Sequence, residues 1–103
     1  MTVIVEYRVL EGHVADFTAL LAKHWPTLCD LGLATSTPPQ YFIGEEVAGK
    51  PVPIVEIFAW SSPAAPGVAH THPAVSKIWE RMAELSDGDG RPRNLALRPL
   101  TVG

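Results

Sequence analysis

This sequence has little cysteine, few basic residues and no long apolar run. Cys29 alone cannot form an intramolecular disulfide, so no disulfide framework holds the fold together. Eight Lys and Arg against eleven Asp and Glu give a formal net charge of −3, which argues against binding to a nucleic-acid backbone. No stretch approaches the roughly 18 consecutive apolar residues that span a bilayer, so no membrane partner is expected.

The first residues also lack the features of a secretion signal. They read Met-Thr-Val-Ile-Val-Glu-Tyr-Arg, with no basic segment before an apolar run and no small-residue cleavage site. We therefore expect a cytoplasmic protein. Hydrophobic residues at 47% and charged residues at 18% exclude disorder. The 103 residues predict a single domain, 1–103, because the chain is too short for two independent cores.

Apolar periodicity predicts six elements. Alternation every two residues indicates strands, and steps of three and four residues indicate helices. The predicted strands are Thr2 to Leu10, Gln40 to Val47, Val52 to Ser61 and Leu95 to Val102, and the helices run from Val14 to the stop signal at Gly32 and from Pro73 to the Asp87–Gly90 turn. Pro26 lies within the first helical pattern and predicts either a kink or two shorter helices.

The order β-α-β-β-α-β predicts an α+β, ferredoxin-like fold, in which a four-stranded antiparallel sheet carries both helices on one face. The last strand lies at an edge of that sheet, which accommodates Pro99. The uncovered face is expected to hold an apolar patch formed by Ile4, Leu10, Ile54, Phe58 and Trp60. Such a patch marks a partner surface, and a second copy across a two-fold axis is its simplest cover.

The segment between Glu56 and Trp79 resembles the dimeric α+β barrel superfamily. It contains Glu56-Ile57-Phe58-Ala59-Trp60, then Ala69-His70-Thr71-His72-Pro73-Ala74-Val75, then Ile78-Trp79. Within the superfamily it is most similar to antibiotic-biosynthesis-monooxygenase-like proteins, and the element order extends the resemblance over the whole chain. The resemblance implies a homodimer through the open sheet face. The superfamily includes cofactor-independent oxygenases, isomerases, haem-degrading enzymes and members with no known reaction, so the fold leaves the activity open.

His70 and His72 are the most chemically suggestive pair in the sequence. Side chains at i and i+2 converge only in an extended segment, and Pro73 favours an extended residue before it. A carboxylate from a neighbouring strand, Glu56, would orient such a base, so these three residues are the catalytic candidates. The alternative is that the histidines cap the second helix and pack on its first turn. No third ligand stands at a recognisable spacing, so no metal is predicted.

Four aromatic residues are candidates for binding a substrate: Tyr7, Tyr41, Trp60 and Trp79. A buried phenol needs a hydrogen-bond partner, which a ligand can supply, and the tryptophans offer apolar walls. The alternative is that the tryptophans fill the core. Four charged residues lie on strand faces that mix polar and apolar side chains: Glu6, Arg8, Glu56 and Arg98. They predict buried carboxylate–guanidinium pairs, and the alternative is that one carboxylate serves as a general base.

Two classes of function fit these features. The first is a small monooxygenase-like enzyme that acts on an aromatic or polyketide-like substrate without a bound organic cofactor, as the resemblance implies. The second is a non-catalytic ligand-binding or structural dimer of the same fold. An enzyme requires polar groups that converge on a cavity. The mouth of such a cavity is expected near Ala69 to Pro73, where the second helix begins.

Overall fold

Four strands and three helices make up the fold. The computed structural model describes residues 1–103. In chain order the elements are β1 Thr2–Val9, α1 Val14–Asp30, β2 Gln40–Ile43, β3 Val52–Ala59, α2 Ala65–Thr71, α3 Pro73–Glu84 and β4 Arg93–Leu97. The predicted α+β fold is confirmed, with the second helical region divided into α2 and α3.

The strands form one sheet in the order β2-β3-β1-β4, and each neighbouring pair is antiparallel. β1 and β3 are the central strands, and β4 lies at an edge as predicted. β4 ends at Leu97, so Pro99 follows the strand instead of lying within it. No helix is long and apolar enough to cross a membrane.

The helices cover the sheet face that carries Val3, Val5 and Tyr7 of β1 and Ile54, Glu56 and Phe58 of β3, all of them buried. The prediction that Ile54, Phe58 and Trp60 lie on the open face is therefore wrong. Both alternating sets of β3 are rich in apolar residues, so its own pattern does not decide which set faces the helices. The register with β1 does, because Val3 pairs with Phe58 and Val5 pairs with Glu56, and directly opposed residues share a face.

Helix α1 runs unbroken through Pro26, so the alternative of two shorter helices is wrong. Pro26 removes one backbone hydrogen bond to the carbonyl of Ala22. Both residues are exposed, so water is able to bond the carbonyl that is left free. On the opposite side, α1 buries a stripe at spacings of four, three and four residues, formed by Phe17, Leu21, His24 and Leu28.

His72 divides the second helical region. Its backbone is extended, with φ −87° and ψ 122°, as expected for a residue before proline. Its side-chain Nδ1 accepts a hydrogen bond from the backbone N–H of Ala74 at 3.2 Å and so caps the N-terminus of α3. Val75 and Met82 of α3 pack into the single core that also holds β1 and β3.

Candidate active site and ligand cavity

A cavity of about 740 Å³ lies between the helix-covered sheet face and the second helical region. Its lining residues come from all three helices and from strands β1, β3 and β4. The aromatic and imidazole side chains that line it are Tyr7, His24, Phe58, Trp60, His70 and Trp79. Polar residues of the α3–β4 connection and of β4 form one side of its rim: Ser86, Asp89, Arg91 and Asn94. The cavity is thus largely apolar, and its polar groups are the two imidazoles and these residues of the rim.

The carboxylate of Glu56 lies directly behind the wall of this cavity and is fully buried. Its Oε1 accepts a hydrogen bond from the Tyr7 hydroxyl at 2.7 Å. Its Oε2 lies 2.9 Å from Nδ1 of His24, a side chain that is itself only 3% exposed. Both carboxylate oxygens therefore have a partner, as a buried charged group requires.

The fourth member of this hydrogen-bond chain fixes where the proton of His24 lies. The indole Nε1 of Trp79 is 2.9 Å from Nε2 of His24, and an indole N–H only donates. Nε2 is therefore the acceptor, and Nδ1 carries the proton that is donated to Glu56. We name the four residues Tyr7, Glu56, His24 and Trp79 the relay. It fixes the His24 tautomer with the proton on Nδ1 and the Trp79 indole on Nε2.

Burial is also the main electrostatic influence on the two tyrosines near Glu56. Desolvation, with the charge and hydrogen bond of Glu56 as further causes, holds the pKa of Tyr7 well above its ordinary value. Desolvation and, secondarily, the Glu56 charge raise the pKa of Tyr41 to about 12. Tyr7 is consequently a hydrogen-bond donor to Glu56 throughout the physiological range.

These shifts predict an unusual alkaline titration. Neither tyrosine should ionise at the ordinary value near 10 while the protein is folded. Because the folded-state pKa of Tyr7 is raised, its contribution to stability is complete below pH 10 and is lost as the pH rises further. We expect the tyrosinate absorbance to rise near pH 12 for Tyr41, and Tyr7 to ionise only with unfolding. A tyrosinate step near pH 10 in the folded protein would contradict this description of the two tyrosines.

Most of the residues that were predicted for a site come together here. Tyr7, Trp60, Trp79 and His70 line the cavity, and Glu56 bonds two of the residues in its wall. The ring of His70 packs edge-to-face against Trp79, with 4.9 Å between centroids. Of the predicted mouth, Ala69 to Pro73, only His70 lines the cavity.

Two predicted residues lie elsewhere. His72 does not converge with His70, because its ring nitrogen is bonded to the backbone of α3. Tyr41 lies on the exposed strand β2 and lines a separate pocket of about 310 Å³ between that strand and α1.

Within the single chain, Glu6, Arg8, Glu56 and Arg98 form no buried carboxylate–guanidinium pair. Glu56 faces the helices and pairs with Tyr7 and His24, whereas Arg8 pairs with Asp87 at 3.9 Å on the surface. Arg98 follows the end of β4 and is exposed. For Glu56 the prediction is wrong for the same reason as for the patch on β3, since the register puts Glu56 and Arg8 on opposite faces of the sheet.

His24 is the functional candidate that the sequence analysis missed. It continues the stripe formed by Phe17, Leu21 and Leu28, at a spacing where an apolar residue is expected. A histidine in a buried stripe needs a polar partner, and the only carboxylate in the apolar strand β3 is Glu56. That pairing was the available signal. No group of three or more His, Cys, Asp or Glu side chains is arranged to hold a metal ion.

Comparisons with known proteins bear on the fold. No family model matches the chain, and no curated protein matches it in sequence. SnoaB from Streptomyces nogalater, described as a cofactor-independent oxygenase, is 17% identical over 96% of this chain and 93% of its own, with a TM-score of 0.66. An antibiotic biosynthesis monooxygenase is 14% identical over 95% and 98%, with a TM-score of 0.67. Rv0793 from Mycobacterium tuberculosis is 18% identical over 98% and 95%, with a TM-score of 0.68. The chain therefore has the same fold as these antibiotic-biosynthesis-monooxygenase-like structures, as its sequence predicted.

Proposed function

We propose that this protein binds an aromatic small molecule in the cavity and oxygenates it with O₂, without an organic cofactor, using His24 as the general base. One observation carries the proposal. A largely apolar cavity of about 740 Å³ is bordered by an imidazole whose other nitrogen is held by a buried carboxylate. A pocket of this size, with a few polar groups on apolar walls, is typical of small-molecule sites.

The aromatic side chains of the cavity determine the kind of ligand. Phe58 and Trp60 lie edge-to-face with 4.9 Å between centroids, and Trp79 stands against His70. Flat aromatic ligands pack well against such faces and edges. We assign Tyr7, Trp60, Trp79 and His70 to substrate contact.

Glu56 prepares His24 for proton abstraction. By accepting the Nδ1 proton it fixes the tautomer in which Nε2 carries the lone pair, and its charge stabilises the imidazolium that forms when Nε2 takes a proton. Glu56 touches no ligand in this scheme and is a positioning residue. A substrate hydroxyl or acidic C–H reaches Nε2 by taking the place of the Trp79 indole, which occupies the base in the free protein.

The reaction is balanced without a further reductant. Anthrone provides a simple substrate, because its carbonyl acidifies the ring methylene. His24 removes one methylene proton, and the resulting enolate transfers electrons to O₂ and forms a C–O bond. The imidazolium returns its proton to the peroxide oxygen, which gives the neutral hydroperoxide. Loss of water, with cleavage of the O–O bond and of the remaining C–H bond, then leaves a carbonyl, so anthrone and O₂ give anthraquinone and water. The description of SnoaB as a cofactor-independent oxygenase supports this class of reaction.

An oxygen electrode provides the test. With anthrone, the purified protein should consume one O₂ per anthraquinone formed and exceed the uncatalysed rate. A rate that is equal with and without protein, for anthrone and for hydroxylated naphthalenes, would contradict an oxygenase. Binding of 2-naphthol without oxygen consumption would instead identify a non-catalytic ligand-binding protein. That second candidate is favoured by the complete pairing of both Glu56 oxygens and both His24 nitrogens inside the chain.

We also infer that two copies associate through the open sheet face. Its apolar side chains are half-buried or exposed in the single chain and come from three strands: Ile4, Val55, Ile57, Leu95 and Leu97. Ile4 stands between Ile57 and Leu95 in the register, so these residues are contiguous. A contiguous apolar patch of this kind marks a protein interface, and a two-fold dimer covers both patches at once.

Leu95→Asp should therefore separate the two copies. Leu95 is 58% exposed in the single chain, so an aspartate is tolerated there by the monomer but is buried without a partner in the dimer. Light scattering should give twice 11.1 kDa for the wild type and 11.1 kDa for the variant. Val68→Asp on α2, 49% exposed and on the helical side, is the matched control and should remain a dimer. A wild-type mass of 11.1 kDa at micromolar concentration would refute the interface.

A further inference from the structure

We propose that Trp79 is a gate on the base, and that it opens only for a ligand that brings a hydrogen-bond donor of its own. The inference rests on the proposed function, because it concerns how a ligand reaches His24 in that cavity. Nε2 is the only ring nitrogen of His24 left for a ligand, since Nδ1 is bonded to Glu56. In the free protein, Nε2 already accepts the indole N–H of Trp79 at 2.9 Å.

The place of Trp79 on α3 makes its indole a movable part of the cavity wall. Val75 and Met82 of the same helix are buried in the core. Trp79 lies four residues after the first and three before the second, so all three share one side of the helix. Its own side chain is only half-buried. The core contacts therefore hold the helix, while the indole can turn about its own side-chain bonds.

One hydrogen bond keeps the indole in its closed position. Its N–H donates to His24, and its ring packs edge-to-face against His70, an exposed residue of α2, with 4.9 Å between centroids. Aromatic packing of this kind tolerates other ring orientations. The bond to His24 has a single geometry, because the donor and the acceptor must be aligned. Loss of that bond is thus the step that opens the gate.

Opening leaves Nε2 of His24 without a donor unless the ligand provides one. The Tyr7 hydroxyl, the other donor of the relay that lines the cavity, is already bonded to Glu56. A buried acceptor without a donor is unfavourable. A ligand with an O–H group exchanges one hydrogen bond for another, whereas a ligand without a donor binds with the gate closed. Trp79 thereby makes a donor the condition for access to the base.

Calorimetric titration of the wild type and of Trp79→Phe with two probes tests the gate. 2-Naphthol has a hydroxyl donor, and 2-methoxynaphthalene has the same aromatic body with an oxygen that only accepts. In the variant, 2-naphthol no longer competes with an indole for Nε2. The ratio of 2-naphthol affinity to ether affinity should therefore rise about three- to tenfold, as expected for one neutral hydrogen bond. Loss of apolar contact with the indole lowers both affinities and leaves the ratio unchanged.

Trp60→Phe is the matched control for this variant. Trp60 also lines the cavity, but its indole makes no hydrogen bond to His24. Its replacement removes an indole N–H from the same cavity without freeing the base. The affinity ratio should stay within about two-fold of the wild-type ratio.

Proton NMR of the wild type provides a second measurement, which does not require any variant to fold. The indole proton of Trp79 loses its acceptor when the gate opens. Its exchange with water should accelerate about tenfold on saturation with 2-naphthol and change less than about two-fold with the ether. Trp25 lies outside the cavity lining, so its indole proton is the internal reference.

Three results would overturn the gate. They are an affinity ratio in Trp79→Phe within about two-fold of the wild type, an equal rise of the ratio in Trp60→Phe, and equal acceleration of exchange by both probes. The proposed function survives each of them, since the probes are then still bound. Failure of the wild type to bind either probe would instead contradict the proposed function along with the inference.

Discussion

Glu56→Ala should lower the free energy of unfolding by about 3–5 kcal/mol, the largest stability change expected for a single substitution in this chain. The reason is that Glu56 is fully buried and accepts from two buried donors. Without it the Tyr7 hydroxyl and the Nδ1–H of His24 have no acceptor, and the lost side-chain volume leaves a void. Urea denaturation measures the change, and an unaltered m-value would show that the folded and unfolded states are otherwise comparable.

Two further variants isolate the cause. Glu56→Gln keeps the volume and one acceptor oxygen, so it should lose only about 1–2 kcal/mol by leaving one donor without an acceptor. Glu80→Ala on the solvated side of α3 should change stability by less than about 0.5 kcal/mol. A loss below about 1 kcal/mol for Glu56→Ala would show that the relay is not a main support of the core.

His24→Ala should lower the rate of anthrone-dependent oxygen consumption by about 10²–10⁴-fold, which is the usual contribution of a general base. Affinity for 2-naphthol should change much less, because the aromatic walls remain. Added imidazole should restore part of the rate, since the vacated volume beside Glu56 accommodates it. A purely structural His24 predicts a different outcome, in which rate and naphthol affinity fall together with thermal stability and imidazole restores no turnover.

The matched control for this variant is His13→Ala. His13 is exposed, precedes α1 and lies outside the cavity lining. Its replacement should leave oxygen consumption within about two-fold of the wild type, as for most surface changes away from a site. An equal loss of rate in both variants would exclude His24 as the specific base.

The fold could be predicted from local patterns because each element has a clear period. β1 alternates Val3, Val5, Tyr7 and Val9 against partly charged positions, and the stripe of α1 recurs at helical spacing. The faces of β3 could not be predicted in this way. Its two alternating sets are both mainly apolar, and only the register with β1 shows that Phe58 and Glu56 face the helices.

Only part of the candidate site could be predicted, again because local patterns do not show which elements lie against each other. Tyr7, Trp60, Trp79 and His70 were recognised by residue type, because aromatic and imidazole groups are versatile at a cavity. The relay depends instead on which residue of α1 lies over which residue of β3. No local pattern fixes the position of His24 over Glu56, since 31 intervening residues separate them in the chain. His72 shows the converse. Its extended backbone was predicted correctly, but its ring nitrogen bonds the backbone of α3 and does not converge with His70.

The nitrogen NMR spectrum of histidine-labelled protein tests most directly whether Glu56 holds His24 with its basic nitrogen toward the cavity. His24→Ala assigns the signals. At neutral pH, Nδ1 of His24 should show the shift of a protonated ring nitrogen and Nε2 that of an unprotonated one. Addition of 2-naphthol should move the Nε2 signal, because the ligand hydroxyl takes the place of the Trp79 indole. A protonated Nε2 in the free protein, or an Nε2 signal that does not respond to bound 2-naphthol, would contradict the assignment of His24 as the base.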